Sequence, residues 1–217
     1  MTIKKYLHSC IPIEDNGKRL LIDPGSFSFI EKFITPADIG GVDVIIYTHK
    51  HLDHYDPTIL KELMSLKEAV IVSNAEIAEL LAKDGFTSEI MHEGESKDVA
   101  GFQIDAYSAP HGQIPAEIPH NLAYMINKTL LHPGDSLEVQ DLPVVPVLAL
   151  PIAAPWLRAV DSIAFAKDIK PQHVIPIHDT IVKDFMLERM YSGMIGPKLE
   201  KEGIAFHPLK LGESFSL

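Results

Sequence analysis

The segment IIYTHKHLDHYDP, Ile45 to Pro57, constrains this chain more than any other. An apolar, β-branched run, which predicts a buried strand over Asp43–His49, ends in His49, His51, Asp53 and His54. A helix start follows at once, because Asp56 can cap it and Pro57 suits its first turn. The backbone therefore turns at the carboxyl end of a strand, where ligand sites gather in open α/β sheets. In extended backbone His49 and His51, two residues apart, point the same way. The turn then brings Asp53 and His54 round from the other side. Such a loop is either histidine-rich by accident and solvated, or it is gathered around a cation.

Three downstream residues favour the cation. YSAPHGQ supplies His111, LLHPGDS supplies Asp135 and VIPIHDT supplies His178. Each follows an apolar run and precedes a turn, so each can face the same mouth of the sheets. Any one alone reads as a hydrogen-bonded loop residue. Together with the first cluster they make five histidines and two aspartates, a suitable number for two metal ions.

The rest of the chain reads as alternating strands and helices. KKYLHSCIPIE is predicted as one strand, Asn16-Gly17 as a hairpin turn and Arg19–Pro24 as the returning strand. AVIVSN is a strand, and AEIAELLAKDG a helix closed by Gly85. Strand-like runs follow in GFQIDAYSAPH, NLAYMIN, KTLLHPGD and PVVPVLALPI. RAVDSIAFAKDIKP is an amphipathic helix and HVIPIH a strand. KDFMLERMYSGMIGPKLEKEG is largely helical, broken near Gly193–Pro197, and AFHPLKLGESFSL closes as a strand. Phe185, Met186, Met190 and Met194 stand at core or dimer-contact spacing, and HEGESKD reads as a solvated loop. This order needs stacked sheets with helices outside, a layered α/β fold. With 217 residues, no repeats and no linker, a single domain over 1–217 is expected.

Composition bounds the function. The net charge of −11 argues against an electrostatic nucleic-acid binder, although metal ions can supply local positive charge. The longest apolar segment, Leu142–Leu157, holds four prolines and is short for a membrane span. One cysteine, Cys10, permits no intrachain disulfide, and no signal peptide is read at the start, so the cytoplasm is the expected compartment. A homo-oligomer is left open.

With LLIDP, THKHLDH, His111, HPGDS and PIHD in this order, the whole chain resembles the metallo-β-lactamase superfamily of metal-dependent hydrolases. Within it, LHSC, LIDP, HPGDS and IKPQHVIPIHD look most like the branch of L-ascorbate-6-phosphate lactonase-like hydrolases; AAPWLRAVDSIAFA departs from the glycine-rich, methionine-containing stretch expected there. The resemblance implies a four-layer αββα sandwich. It implies that His49, His51 and His111 hold one metal, that Asp53, His54 and His178 hold a second, and that Asp135 bridges them. Imidazoles with a few carboxylates suit Zn2+, with Mn2+ or Fe as alternatives. Oxygen-reducing di-iron members resemble one another in having glutamate at the position of His51, so histidine there favours hydrolysis over redox work. Paired cations would activate water and polarise the oxygen under attack, with Asp53 orienting the water or moving its proton.

Supporting roles follow by chemistry. Asp23 in LLIDP is expected to accept a hydrogen bond from a metal-bound imidazole. His8 and His132 are candidates for a place near the site but read better as packing histidines. His120 and Arg158 are candidate substrate contacts, Arg158 for an anionic group; Trp156 precedes it after a strand end. His92, His173 and His207 show no pattern. The expected function is hydrolysis of a small-molecule ester or lactone. Phosphodiester hydrolysis on a nucleotide, phospholipid or RNA is the alternative, and a non-catalytic metal-binding module and a di-iron redox protein are weaker ones.

Overall fold

The computed structural model describes residues 1–30 and 32–217. Two seven-stranded mixed sheets lie face to face. The first contains β1 (Thr2–Lys4), β2 (Ile11–Asp15), β3 (Lys18–Ile22), β4 (Val44–Ile46), β5 (Val70–Ser73) and β6 (Glu89–Ile90). The second contains β7 (Ser96–Val99), β8 (Phe102–Ser108), β9 (Leu122–Ile126), β10 (Leu130–His132), β11 (Val147–Pro151), β12 (His173–Ile177) and β13 (Ala205–Phe206). The last strand, β14 (Ser214–Ser216), returns to the first sheet beside β1. The strands β3 to β6 run parallel, as do β10 to β13; the remaining pairings are antiparallel.

The helices cover the outer faces. On the first sheet lie α1 (Pro36–Ile39), α2 (Pro57–Leu66) and α3 (Ala75–Lys83), with Leu60, Leu63, Ile77 and Leu81 buried against Ile45 and Ile71. On the second lie α4 (Ala159–Ile169), α5 (Asp184–Arg189), a π-helical segment Met190–Ile195, and α6 (Gly196–Glu200). There Phe165, Ile195 and Leu199 pack on Leu148 and Val174. Between the sheets, Ile11, Ile22, Val44, Phe102, Tyr124, Val147 and Ile175 form the central core. The result is the αββα sandwich expected from the sequence.

Local chemistry explains the predicted elements that stand. Asn16 and Gly17 both have positive φ, 49° and 72°, as a tight hairpin turn requires. Asp56 accepts from Thr58 N–H at 2.8 Å and Ile59 N–H at 3.4 Å, capping α2.

Other elements differ. KKYLHSCIPIE is not one strand: β1 and β2 are an antiparallel pair separated by a tight loop, in which Cys10 N–H donates to the Leu7 carbonyl and His8 adopts φ 60°. The closing segment is two short strands in different sheets; Pro208, which has no N–H to donate, lies between them. HEGESKD is a turn only as far as Glu95, and Ser96–Val99 is an edge strand on β8. The expected break near Gly193–Pro197 becomes the π-helical segment, which runs into α6. Of the four residues at core spacing there, Met190 is buried, whereas Phe185 is 74% exposed and Met186 and Met194 are partly so. Among the described residues, no helix is long and apolar enough to cross a membrane.

Candidate metal centre

The site is assembled from loops at the carboxyl ends of parallel strands and from the loop after β8. The turn after β4 carries His49, His51, Asp53 and His54. The loop after β8 carries His111, that after β10 carries Asp135, and that after β12 carries His178. Their donor atoms fall into two groups, each within 4.8 Å: His49, His51, His111 and Asp135, and His54, Asp53, His178 and His8. The structure thus brings all seven sequence-predicted ligands together and adds His8.

Hydrogen-bond accounting shows which way each ring points. His54 donates Nδ1–H to Asp23 Oδ2 at 2.8 Å, and His111 Nδ1–H to the Gly112 carbonyl at 2.6 Å. His178 Nδ1–H donates to the Ala153 carbonyl. His49 Nδ1 faces Thr48 Oγ1 at 3.0 Å, and that hydroxyl donates to Asp23 Oδ2 at 2.7 Å, so the imidazole is the donor to Thr48. Four rings therefore have Nδ1 occupied and turn Nε2 inward, that of His49 toward His51 Nδ1. Nε2 of His54, His111 and His178, together with Asp135 Oδ1, are buried without a hydrogen-bond partner. Orphaned buried acceptors are rare, and several converging on one volume fit a cation. His54 Nε2 is 3.1 Å from Asp135 Oδ1, but not in hydrogen-bond geometry. His51 points Nδ1 rather than Nε2 inward, 3.2 Å from His49 Nε2.

The electrostatics agree. Burial disfavours charge on His54, but Asp135 and Asp23 outweigh it and hold the imidazole well above its usual pKa. Burial likewise opposes ionisation of Asp135, yet His178 and His54 hold that carboxyl well below the carboxylate range. His49, by contrast, is held neutral by burial and by the neighbouring His54. The donor set fits hard-to-borderline divalent ions.

Asp135 stands between the groups. Its Oδ1 lies near His54 Nε2, and its Oδ2 is 3.5 Å from His111 Nε2 and 3.3 Å from His178 Nε2. Asp53 is the more open carboxylate, with its side chain 21% exposed against 5% for Asp135.

His8 is the residue whose position the sequence left undervalued. Its Nε2 lies 3.1 Å from Asp53 Oδ2, and its Nδ1 is buried without a partner. Burial pushes its pKa down to about 4, against the pull of the Asp53 hydrogen bond, so the ring is neutral. A lone pair is cheaper to leave unpartnered than an N–H, so the proton sits on Nε2 and is donated to Asp53. That leaves His8 no inward lone pair. No spacing signal pointed to it; the loop geometry places it.

Asn121 was also missed. It donates to the carbonyls of Ala109 and Pro133 at 2.8 and 3.0 Å and accepts from Asp135 N–H at 3.2 Å, tying together the loops that carry His111 and Asp135. Beside it, Gly134 has φ 60°, and a Cβ there would stand 2.0 Å from Asn121 Oδ1. His132, as expected for packing, donates Nε2–H to the Ser9 carbonyl and accepts from Gly134 N–H.

The structure does not bring His120 or Arg158 to this cluster. His120 Nε2 is 3.8 Å from Glu93 at the surface. Arg158 is 78% exposed in its side chain and forks onto both Asp161 oxygens at 2.8 and 2.7 Å.

Residues 2–178 match the family model described as the beta-lactamase superfamily domain, a range that includes all seven positions. Protein Rv0786c of Mycobacterium tuberculosis is 33% identical over 190 residues, covering 84% of this chain and 85% of its own. A protein of Bacillus cereus named a UPF0173 metal-dependent hydrolase is 29% identical over 196 residues, covering 82% of this chain and 85% of its own. Among solved structures, Igni18, a metallo hydrolase from the archaeon Ignicoccus hospitalis, superposes over 100% of both chains with a TM-score of 0.74 and 22% identity, a likeness of fold.

Proposed function

The chain belongs to the metallo-β-lactamase superfamily as a metal-dependent hydrolase, and from that premise we propose that it uses a two-metal site, loaded with Zn2+, to hydrolyse a small-molecule ester or lactone. One observation carries the reading. The Asp135 carboxylate lies between the two donor groups, with one oxygen toward His54 and the other toward His111 and His178. In this reading His49, His51 and His111 would hold one ion and Asp53, His54 and His178 the other, with Asp135 available to both. Two divalent ions, when bound, would supply an activated water at neutral pH and a Lewis-acidic partner for the oxygen under attack.

The chain's own residues do the rest. Asp23 and Thr48 aim one imidazole from each donor group. Asp53, the more open carboxylate, is ionised: burial opposes it, but the His8 hydrogen bond and His54 hold its pKa low. Its ionised oxygens would accept a hydrogen bond from the attacking water and orient it. His51 favours hydrolysis over di-iron redox chemistry. A lactone or ester offers a single polarisable carbonyl, and the lactonase-like motifs LHSC, LIDP and HPGDS support that substrate class. The substrate is a small molecule rather than a polynucleotide, in keeping with the net charge of −11. The setting is the cytoplasm, where the buried thiol of Cys10 stays reduced.

The test is hydrolysis by zinc-loaded protein of sugar and acyl lactones beside phosphodiesters, with Asp135→Ala as the blank. Lactone turnover that vanishes in the variant supports the reading. Turnover of phosphodiesters alone transfers the protein to that chemistry, and turnover of neither by metal-replete protein counts against a carbonyl substrate.

A further inference from the structure

Trp156 lies in the loop between β11 and α4, and no ligand or substrate role falls on it from the sequence. In the structure its indole Nε1–H donates to Asp135 Oδ2 at 3.2 Å. Its ring covers Gly112 so closely that a Cβ on that glycine would stand 2.1 Å from Cδ2 and 2.2 Å from Cε3. Gly112 in turn donates its N–H to the Asp135 carbonyl at 2.8 Å and accepts from His111 Nδ1–H. The indole is half-buried, with its ring centroid 6.0 Å from that of His111. One side chain thus braces two predicted ligands on separate loops, the first by packing through Gly112 and the second by a hydrogen bond.

We infer that Trp156 is a positioning residue of the metal centre: its N–H fixes the rotation of the Asp135 carboxylate, and its ring holds the His111–Gly112 turn against it. A carboxylate that is to meet two ions needs both oxygens aimed at once, and a free χ2 rotation would spoil one contact while making the other. An indole donates from a ring that is itself locked by packing, so the constraint costs little side-chain entropy on binding. The indole makes no contact that requires it to bind metal itself. The inference rests on the two-metal reading above.

Trp156 is the single tryptophan in the chain, so it also reports on the site. The experiment is titration of metal-free protein with Zn2+, read by tryptophan emission and, separately, by competition with a chelating dye. In the wild type, emission changes and saturates together with dye-reported binding. Trp156→Phe keeps an aromatic ring on Gly112 and loses the N–H; its dye-reported affinity falls about 10–100-fold, the range typical when a ligand's hydrogen-bond partner is removed. Its melting in the metal-free state stays close to that of the wild type, which a merely structural role would not allow alongside the affinity loss. Gly112→Ala, which displaces the indole and leaves it present, gives the same affinity loss if Trp156→Phe fails to fold. Wild-type emission indifferent to bound Zn2+, or a folded Trp156→Phe that binds with wild-type affinity, overturns the inference alone. A wild type that takes up no metal overturns the two-metal reading and this inference with it.

Discussion

Asp23 Oδ2 accepts the Nδ1–H of His54 at 2.8 Å, with both side chains fully buried. The same carboxylate accepts Thr48 Oγ1–H at 2.7 Å and Thr48 N–H at 2.8 Å, and through that hydroxyl it also steadies His49. One aspartate therefore aims a ring in each donor group. Asp23→Asn keeps the volume but replaces an acceptor oxygen by a donor. Zinc affinity measured by dye competition is expected to fall about 10–100-fold. Urea unfolding of the metal-free variant is expected to show a loss of about 1–3 kcal/mol from the mispaired buried group.

His8 faces Asp53 and carries its proton on Nε2, in contrast to the four rings that donate through Nδ1. It is expected to hold Asp53 without binding metal. His8→Gln should retain two metal equivalents per chain while lowering kcat of the loaded protein by roughly 10–100-fold, as for other partners of metal ligands. A drop to one equivalent in elemental analysis would make His8 a ligand.

Gly25 lies against the backbone of the ligand loop. A Cβ there would stand 2.1 Å from the carbonyl carbon and oxygen of Asp53 and 2.3 Å from His54 N. Backbone atoms cannot swing aside as a side chain can, so Gly25→Ala must push the Asp53–His54 segment. A loss of about 1–3 kcal/mol is expected from the overpacking. At roughly 2–4 °C per kcal/mol for a chain of this size, thermal unfolding should register it, with weaker metal binding in the folded fraction.

Cys10 is fully buried, and burial pushes its thiol from about 9.0 up to about 12. Native protein should resist a thiol reagent at pH 8, and urea-unfolded protein should react with one thiol per chain. The sign of the pH effect follows from proton release. As pH rises, the unfolded chain loses this proton near 9.0 while the folded chain keeps it to about 12. The contribution is therefore complete below pH 9 and is lost as pH rises toward 12, so unfolding midpoints should fall across that window.

Much of this architecture was legible because period and punctuation agreed. The run into His49 is apolar and β-branched, Asp56 and Pro57 mark a helix start, and Asn16-Gly17 marks a hairpin. The convergence of these seven residues was legible for a related reason: strand ends are fixed by hydrophobic pattern, and donor residues placed just beyond them share one rim. What failed was whatever depends on a local reversal inside an apolar stretch. KKYLHSCIPIE reads as continuous strand because a loop that buries its own side chains looks apolar, and His8 was undervalued with it. Its positive φ leaves no trace in residue type, since histidine needs no glycine to adopt it. The edge strand Ser96–Val99 was hidden by its exposed, charged face. The fork of Arg158 onto Asp161, one helical turn on, is a pairing that the sequence does not show. Trp156 was silent because its role is set by contacts with Gly112 and Asp135, both distant in sequence.

The most direct test of the two-metal account is the metal-to-protein ratio of the chain loaded with Zn2+ and freed of excess, measured by elemental analysis beside Asp135→Ala and His111→Ala. The account predicts two equivalents in the wild type, with Asp135→Ala weakening both sites and His111→Ala weakening one. A wild type that holds a single equivalent, or an Asp135→Ala variant that still holds two with unchanged affinity, would contradict it.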